Sequence, residues 1–268
     1  MMRRSFHSVL KFTGLSLLII ASMAAVGFLQ KPQLEAIKKE NKEYSLSSLN
    51  QELEAEQLKL KFFKQIPAFG FDNLLADWVF IKFLLYFGDD KAREMTGYQL
   101  SPDYFEVIIN SDTRFQDMYL FLSTSISLYA AMPERSVALM EKGLQSLSPT
   151  IPPKAYYIWR YKGIDELLFL GDGEAAKKSF QKSAEWASDV YYSDQESKSV
   201  AELSRTTAEF LAENPDSKKA LVAGWTMVLQ KAVDERTRKT AIKRIEELGG
   251  KVIIDSEGQV RIQMPEED

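Results

Sequence analysis

Nineteen consecutive residues, Phe12 to Gln30, carry no charge and are rich in Leu, Ile, Ala and Met. Coiled as a helix at ~1.5 Å per residue, they come close to the ~30 Å thickness of a bilayer core. Arg3, Arg4 and Lys11 stand before the run with no acid among them. Positive-inside bias keeps that end in the cytoplasm and sends the rest of the chain across. The expectation is a basic tail over 1–11 and a single-pass anchor over 12–30. A cleaved signal peptide is the alternative, because Ser22-Met23-Ala24 offers a small-x-small site, although the apolar run continues through Val26, Phe28 and Leu29. Either reading exports the body.

The body's composition closes much of the catalytic menu. The 268 residues contain no cysteine and one histidine, His7, which belongs to the N-terminal tail. Disulfides, thiolate metal sites, cysteine nucleophiles and histidine-based triads are therefore excluded from the exported part. The first thirty residues carry +3, which leaves the remainder at −7 when the whole chain is −4. An acidic body has no field to attract a polyanion, so nucleic acid is not an expected partner.

Residues 31–66 are charged and sparsely apolar. Leu34, Ile37, Asn41 and Tyr44 follow a helical spacing that then slips to Leu49, Leu53, Leu60 and Phe63, and Ser48 with Gln51 reads as a capping box. A helical stalk is one reading; an ordinary amphipathic helix packed on the body is the one favoured, since two broken heptads do not make a coiled coil. After the break at Ile66-Pro67-Ala68-Phe69-Gly70, Leu74 to Phe87 is apolar nearly all round, with Asp77 and Lys82 its only charges. Fourteen residues are too few to span a bilayer, which predicts a central core helix; a seat on the membrane surface is the alternative.

Ser101-Pro102-Asp103 reads as a helix start. Further helices are predicted over Arg114–Ala131, Pro133–Leu147, Lys154–Leu170, Gly173–Ala187, Asp194–Ala212, Asp216–Lys231 and Glu235–Leu248, separated by proline and glycine turns, with Ser193 and Glu196 forming a second capping box. Val252-Ile253-Ile254 and Val260-Arg261-Ile262 flank a turn at Asp255-Ser256-Glu257-Gly258 and read as a hairpin that must lean on the last helix or a partner. The fold class is all-α: an antiparallel array over 67–248, followed by a small β-hairpin and acidic tail over 249–268.

Helix pairs joined by short turns call for a search for repeats. Trp159 and Gly163, then Ala176 and Phe180, have the spacing of a tetratricopeptide unit, in which two small residues let paired helices approach and two aromatics fill the gaps. A weaker upstream copy runs through Leu120, Thr124, Ser136, Met140 and Gly143, with Met140 lying 40 residues before Phe180. Over 114–187 the chain thus resembles the tetratricopeptide-repeat superfamily, although Lys162 and Glu166 replace its usual leucine and tyrosine. Leu74-Leu75-Ala76-Asp77-Trp78, Tyr86-Phe87-Gly88-Asp89 and Pro133-Glu134-Arg135-Ser136 are similar to runs in a cyanobacterial family of membrane-anchored, tetratricopeptide-like proteins. That resemblance implies a thylakoid or plasma membrane, hence a periplasmic or lumenal body, and no established activity.

No phosphate loop or dinucleotide fingerprint is present, and Gly171-Asp172-Gly173 reads as a turn. Asp89-Asp90 and Asp165-Glu166 are adjacent carboxylates, but neighbours point apart on a helix and neither pair fits a calcium loop, so each reads as a solvated helix end or face. Lys38-Lys39 reads as a solvated face near the membrane. No catalytic, cofactor or metal residue is nominated. Stacked helix pairs offer a concave surface for a peptide or helix, and Tyr157, Arg160, Tyr161 and Glu166 are the residues predicted to line it. The expected role is a membrane-anchored interaction scaffold whose partners are membrane-complex subunits. An exported enzyme using carboxylates, or serine with lysine, and a structural spacer are the rival readings.

Overall fold

The computed structural model describes residues 22–23, 25–28, 30–31, 45–65, 67–232, 235–254 and 260–266. The chain divides into two units, Met1–Ser45 and Leu46–Asp268. Within the first, the described residues between 22 and 31 are helical. No helix among the described residues is long and apolar enough to cross a membrane. Most of the expected anchor, the helix through Leu34 and Tyr44, Lys38-Lys39 and the turn at 255–258 lie outside the described residues.

The second unit is built from helices whose ends follow the proline and glycine punctuation. They are α1 (Leu46–Phe63), α2 (Asp72–Phe87), α3 (Asp90–Thr96), α4 (Ser101–Ser111), α5 (Met118–Ser123), α6 (Pro133–Leu144), α7 (Tyr156–Asp165), α8 (Gly173–Trp186), α9 (Gln195–Glu213), α10 (Lys218–Lys231) and α11 (Glu235–Glu247). Helices α5 and α7 each run on into a wider π-helical turn, Thr124–Tyr129 and Glu166–Leu170. Strands β1 (Lys251–Ile254) and β2 (Val260–Gln263) pair antiparallel with Val252 opposite Ile262. The hairpin leans on α11 as a marginal two-stranded ribbon must: Val252 and Ile262 pack into a cluster with Ile245, Trp225 and Val222.

The main core lies among α1, α2 and α4 to α7, around Phe83, Phe105, Ile108, Met118, Leu122 and Met140. Helix α1 is part of this body rather than a projecting stalk. Leu49 and Leu60 are buried, Lys64 just beyond it bridges Asp103 and Glu106, and Tyr104 donates its hydroxyl to Glu56. Helix α2 corrects the expectation of burial all round. Ala76, Val79, Phe83 and Tyr86 face the core, while Leu74, Trp78, Ile81 and Leu85, on the opposite side of the wheel, face outward.

Three helix starts differ from the sequence reading, and the first is α1, which begins at Leu46, so that Ser48 already lies inside the helix. Asp194, not Ser193, caps α9 by accepting from the Ser197 amide at 3.0 Å. Ser101 is already the first helical residue of α4, its side chain buried rather than capping.

The 40-residue spacing is physical. Helices α6 and α8 begin at Pro133 and Gly173, and Met140 and Phe180 are both buried against the preceding helix of their pair. Each pair closes through a glycine. A Cβ at Gly163 would lie 3.3 Å from the Phe180 ring, and one at Gly143 only 1.9 Å from the Tyr119 hydroxyl. Tyr119 is fully buried and donates to the Thr113 carbonyl at 3.0 Å, so it cannot swing aside. Alanine would gain ~1 kcal/mol of helix propensity at Gly143, but overpacking a filled core costs ~1–3 kcal/mol. The clash is severe enough to put the cost at the top of that range. Gly143→Ala is therefore expected to lower stability by about 2 kcal/mol in a denaturant titration.

Candidate functional site

Helices α5, α7 and α9 open successive helix pairs, and their side chains share one cleft of about 570 Å³. Leu120, Thr124 and Leu128 come from the first, Ile164, Leu167 and Leu168 from the second, and Thr206, Thr207 and Phe210 from the third. The far wall is α10, with Ala223, Gly224, Met227 and Val228, so the last helices close over the array. That closure depends on the π turn of α7. Phe169 packs edge-on against Trp225 with ring centroids 5.2 Å apart, and a Cβ at Gly224 would meet Leu168 at 2.5 Å. Tyr129, at the end of the other π turn, shares a 2.9 Å hydrogen bond with Thr237 of α11. A π turn adds a residue to the helical circuit and redirects the chain beyond it; such turns recur at functional sites.

Most of the cleft wall is apolar; its polar residues are Ser123, Tyr161, four threonines and two cations, Arg160 and Lys219. The Arg160 side chain is half-buried; its guanidinium donates to the Ser204 hydroxyl at 3.2 Å and lies 5.8 Å from the Phe180 ring centroid. Among the described residues no carboxylate lies within ion-pair distance of it. Desolvation pushes its pKa below the ordinary arginine value, the neighbouring Tyr157 and Tyr161 opposing that shift. A cation held in an apolar wall by one serine and one ring is poised to receive an anionic group.

The four residues predicted to line a binding face separate. Arg160 and Tyr161 do line the cleft. Tyr157 stacks on Tyr161 at 6.0 Å and donates to Glu196 at 2.9 Å, which ties α7 to α9 at the edge of the array. Burial pushes its phenol above the ordinary tyrosine value, and the Glu196 bond adds to that shift.

Glu166 is not among the residues that line the cleft. It is 3% exposed and receives Lys162 Nζ at 2.5 Å and the Ser179 hydroxyl at 2.6 Å. Lys162, 9% exposed, donates also to Ser179 at 3.3 Å. The solvated-face reading of Asp165 is likewise corrected. It is fully buried and accepts from the hydroxyls of Ser123, Ser127 and Ser136 at 2.7, 2.5 and 2.6 Å. The two carboxylates do point apart, as sequence neighbours must, one toward α5 and α6 and the other toward α8.

Asp165 is pushed up to about 6 from a usual value near 3.8, first by desolvation, against the three serine bonds that lower it, with the Glu166 charge adding to the rise. Between about pH 4 and pH 6 the folded chain therefore binds more protons here than the unfolded chain, so by proton linkage this group disfavours folding increasingly as the pH rises. The penalty is complete above about pH 6 and reaches on the order of 2–3 kcal/mol. Asp165→Asn should accordingly gain stability relative to the parent from pH 4 to pH 6 and hold a constant difference above pH 7, as read by urea titrations at each pH.

Each carboxylate is enclosed by its own partners, and neither Asp165 nor Glu166 lines the cleft. Ser123 links the Asp165 cluster alone to it, since it donates to Asp165 and also borders the cleft. Among the described residues no group of three or more His, Asp or Glu is placed to hold a metal ion. The sequence reading missed these buried clusters; the signal that could have pointed to them is the apolar run on either side of the acids, Gly163-Ile164 and Leu167-Leu168-Phe169-Leu170, with Ser123 and Ser127 at helical spacing. No protein-family model, curated protein or solved structure matches this chain.

Proposed function

We propose that this chain is a membrane-anchored helical-repeat scaffold whose cleft holds an apolar segment of a partner protein, in service of assembling or maintaining membrane complexes. The observation that carries the reading is the cleft itself: about 570 Å³, apolar, and furnished with a desolvated arginine that no carboxylate among the described residues neutralises. A segment of apolar side chains with one acid among them satisfies both features, because the acid would replace the lost hydration of Arg160. The tetratricopeptide-like reading is supported by first helices that share one cleft and by glycine-mediated approach within successive pairs. The anchor is supported by the uncharged run at 12–30, which restricts the search for membrane partners to two dimensions and raises effective concentration. If the cyanobacterial resemblance holds, those complexes are photosynthetic ones and the body lies in the periplasm or thylakoid lumen.

The reading is tested by crosslinking in membranes, affinity capture of the full chain and identification of the recovered subunits. Membrane-complex subunits should be enriched with the parent protein. Arg160→Gln, which removes the charge but keeps a donor for Ser204, should weaken the capture roughly tenfold or more, the value of one charge-assisted hydrogen bond. Recovery of the same subunits by the parent and by a variant with the cleft filled, Ala223→Trp, would count against the cleft as the binding site.

A further inference from the structure

The outward stripe of α2 is a second surface, separate from the cleft. Phe69 and Phe71 of the preceding loop and Leu74, Trp78, Ile81 and Leu85 of the helix are between 40 and 86% exposed. The four helical positions follow i, i+4, i+7 and i+11 and so form one continuous line, opposite the buried line of Ala76, Val79, Phe83 and Tyr86. At its lower end the stripe continues onto α1, since Trp78 packs edge-on against Phe63 at 5.2 Å and Phe63 touches the exposed Phe62. Single exposed apolar residues are ordinary, but a contiguous patch of this kind marks a surface that meets something apolar.

We infer that this stripe seats the body on the bilayer, with Phe69 and Phe71 entering the interface and α2 lying along it. The inference rests on the anchored reading above. The uncharged run ends at Gln30 and the second unit begins at Leu46, so fifteen residues connect them. At ~3.3–3.6 Å per extended residue, that connection keeps the body within ~50 Å of the membrane surface. A tethered body that presents an apolar face has the bilayer as its most concentrated apolar neighbour.

The chemistry of the stripe suits the interface. Phe69 and Phe71 at its start and Trp78 along it are aromatic, a residue type that favours the headgroup level. The Lys82 ammonium lies 5.5 Å from the Trp78 ring centroid, so its stem covers apolar surface while its charge can reach the headgroups. Lys61 on α1 is also exposed near this end, whereas Asp72 and Asp77 flank the stripe and offset the basic charge. Attachment would therefore depend on apolar insertion more than on anionic lipid.

The chain contains no cysteine, so one can be introduced and labelled alone. Phe69→Cys, Leu85→Cys and, as a control on the turn between α8 and α9, Val190→Cys would be made in the full chain. Each is labelled with an environment-sensitive dye and reconstituted in vesicles of phosphatidylcholine and phosphatidylglycerol containing a nitroxide lipid. Dyes at 69 and 85 should shift to the blue and be quenched several-fold more than the dye at 190. Leu74→Glu with Leu85→Glu should remove the quenching at 69 and leave the thermal melt unchanged, because both side chains already face outward. If the chain floats with the vesicles but all three dyes are quenched alike, the stripe does not touch the bilayer, while the anchor stands. A blue shift at 69 and 85 that grows with protein concentration without lipid quenching identifies a second copy as the occupant and overturns the inference. Failure to float at all removes both the anchor and the seating.

Discussion

Replacing Lys162 alone with methionine should destabilise the protein by roughly 3–5 kcal/mol, the cost of leaving a buried carboxylate without its counter-charge. Glu166 is 3% exposed and its two oxygens accept from Lys162 and Ser179, so its charge is balanced from within the fold rather than by bulk solvent. The pair itself contributes little net stability, since desolvating two ions offsets most of their attraction. The double variant Lys162→Met with Glu166→Gln should therefore recover most of the loss, because the Gln carbonyl can still accept from Ser179 and nothing charged remains buried. Urea titrations of the parent, the single variant and the double variant measure the difference directly. A double variant no more stable than the single one would mean that the ion pair is valued for its charge and not merely for mutual compensation.

Asp165→Ala should be of similar size for a different reason. Three buried hydroxyls, from Ser123, Ser127 and Ser136, converge on this one carboxylate and would lose their acceptor together. Each unsatisfied buried donor costs ~1–3 kcal/mol, although a hydroxyl can rotate to another acceptor, so a total loss of roughly 4 kcal/mol is expected. Asp165→Asn keeps one acceptor and removes the charge, so it should fall well short of that loss at pH 7 and differ from the parent in its pH dependence. The serines come from α5, its π turn and α6, and the carboxylate comes from α7. The cluster thus holds two successive helix pairs together, and the alanine variant should also loosen the π turns whose side chains fix the cleft. Hydrogen exchange at Thr124–Tyr129 would read that loosening; unchanged protection there would separate the cluster from the turns.

Element boundaries were legible because punctuation is local chemistry. Met132-Pro133, Gly171-Asp172-Gly173 and Asn214-Pro215 end or start helices within a few residues of the expected positions, and Val252 and Ile262 pair in the expected hairpin. Gly163, Ala176 and Phe180 were legible for the same reason, since a small residue facing a large one predicts close approach. Burial of charge was not legible from residue type. Asp165 and Glu166 read as surface acids, whereas their partners, Ser136 and Ser179, lie 29 and 13 residues away and come together only by tertiary packing. Helix α2 failed in the opposite sense. An apolar circumference is the same whether both faces are buried or one awaits a membrane, and only the packing of Phe83 against Phe105, 4.6 Å between ring centroids, fixes which face is inside. The aromatic and basic residues around Arg160 are visible in the sequence, but the desolvation of its guanidinium, which gives the cleft its chemistry, is a property of the fold.

The claim that the cleft holds a partner's apolar segment is tested most directly by a photocrosslinking residue placed inside it. Thr207 borders the cleft on α9, and Lys178 on α8 is exposed outside it. With the crosslinker at 207 in the full chain, irradiation of intact cells should give a defined adduct with a membrane-complex subunit, lost in the Arg160→Gln background and absent with the crosslinker at 178. No adduct at 207, or the same adducts from both positions, would contradict it.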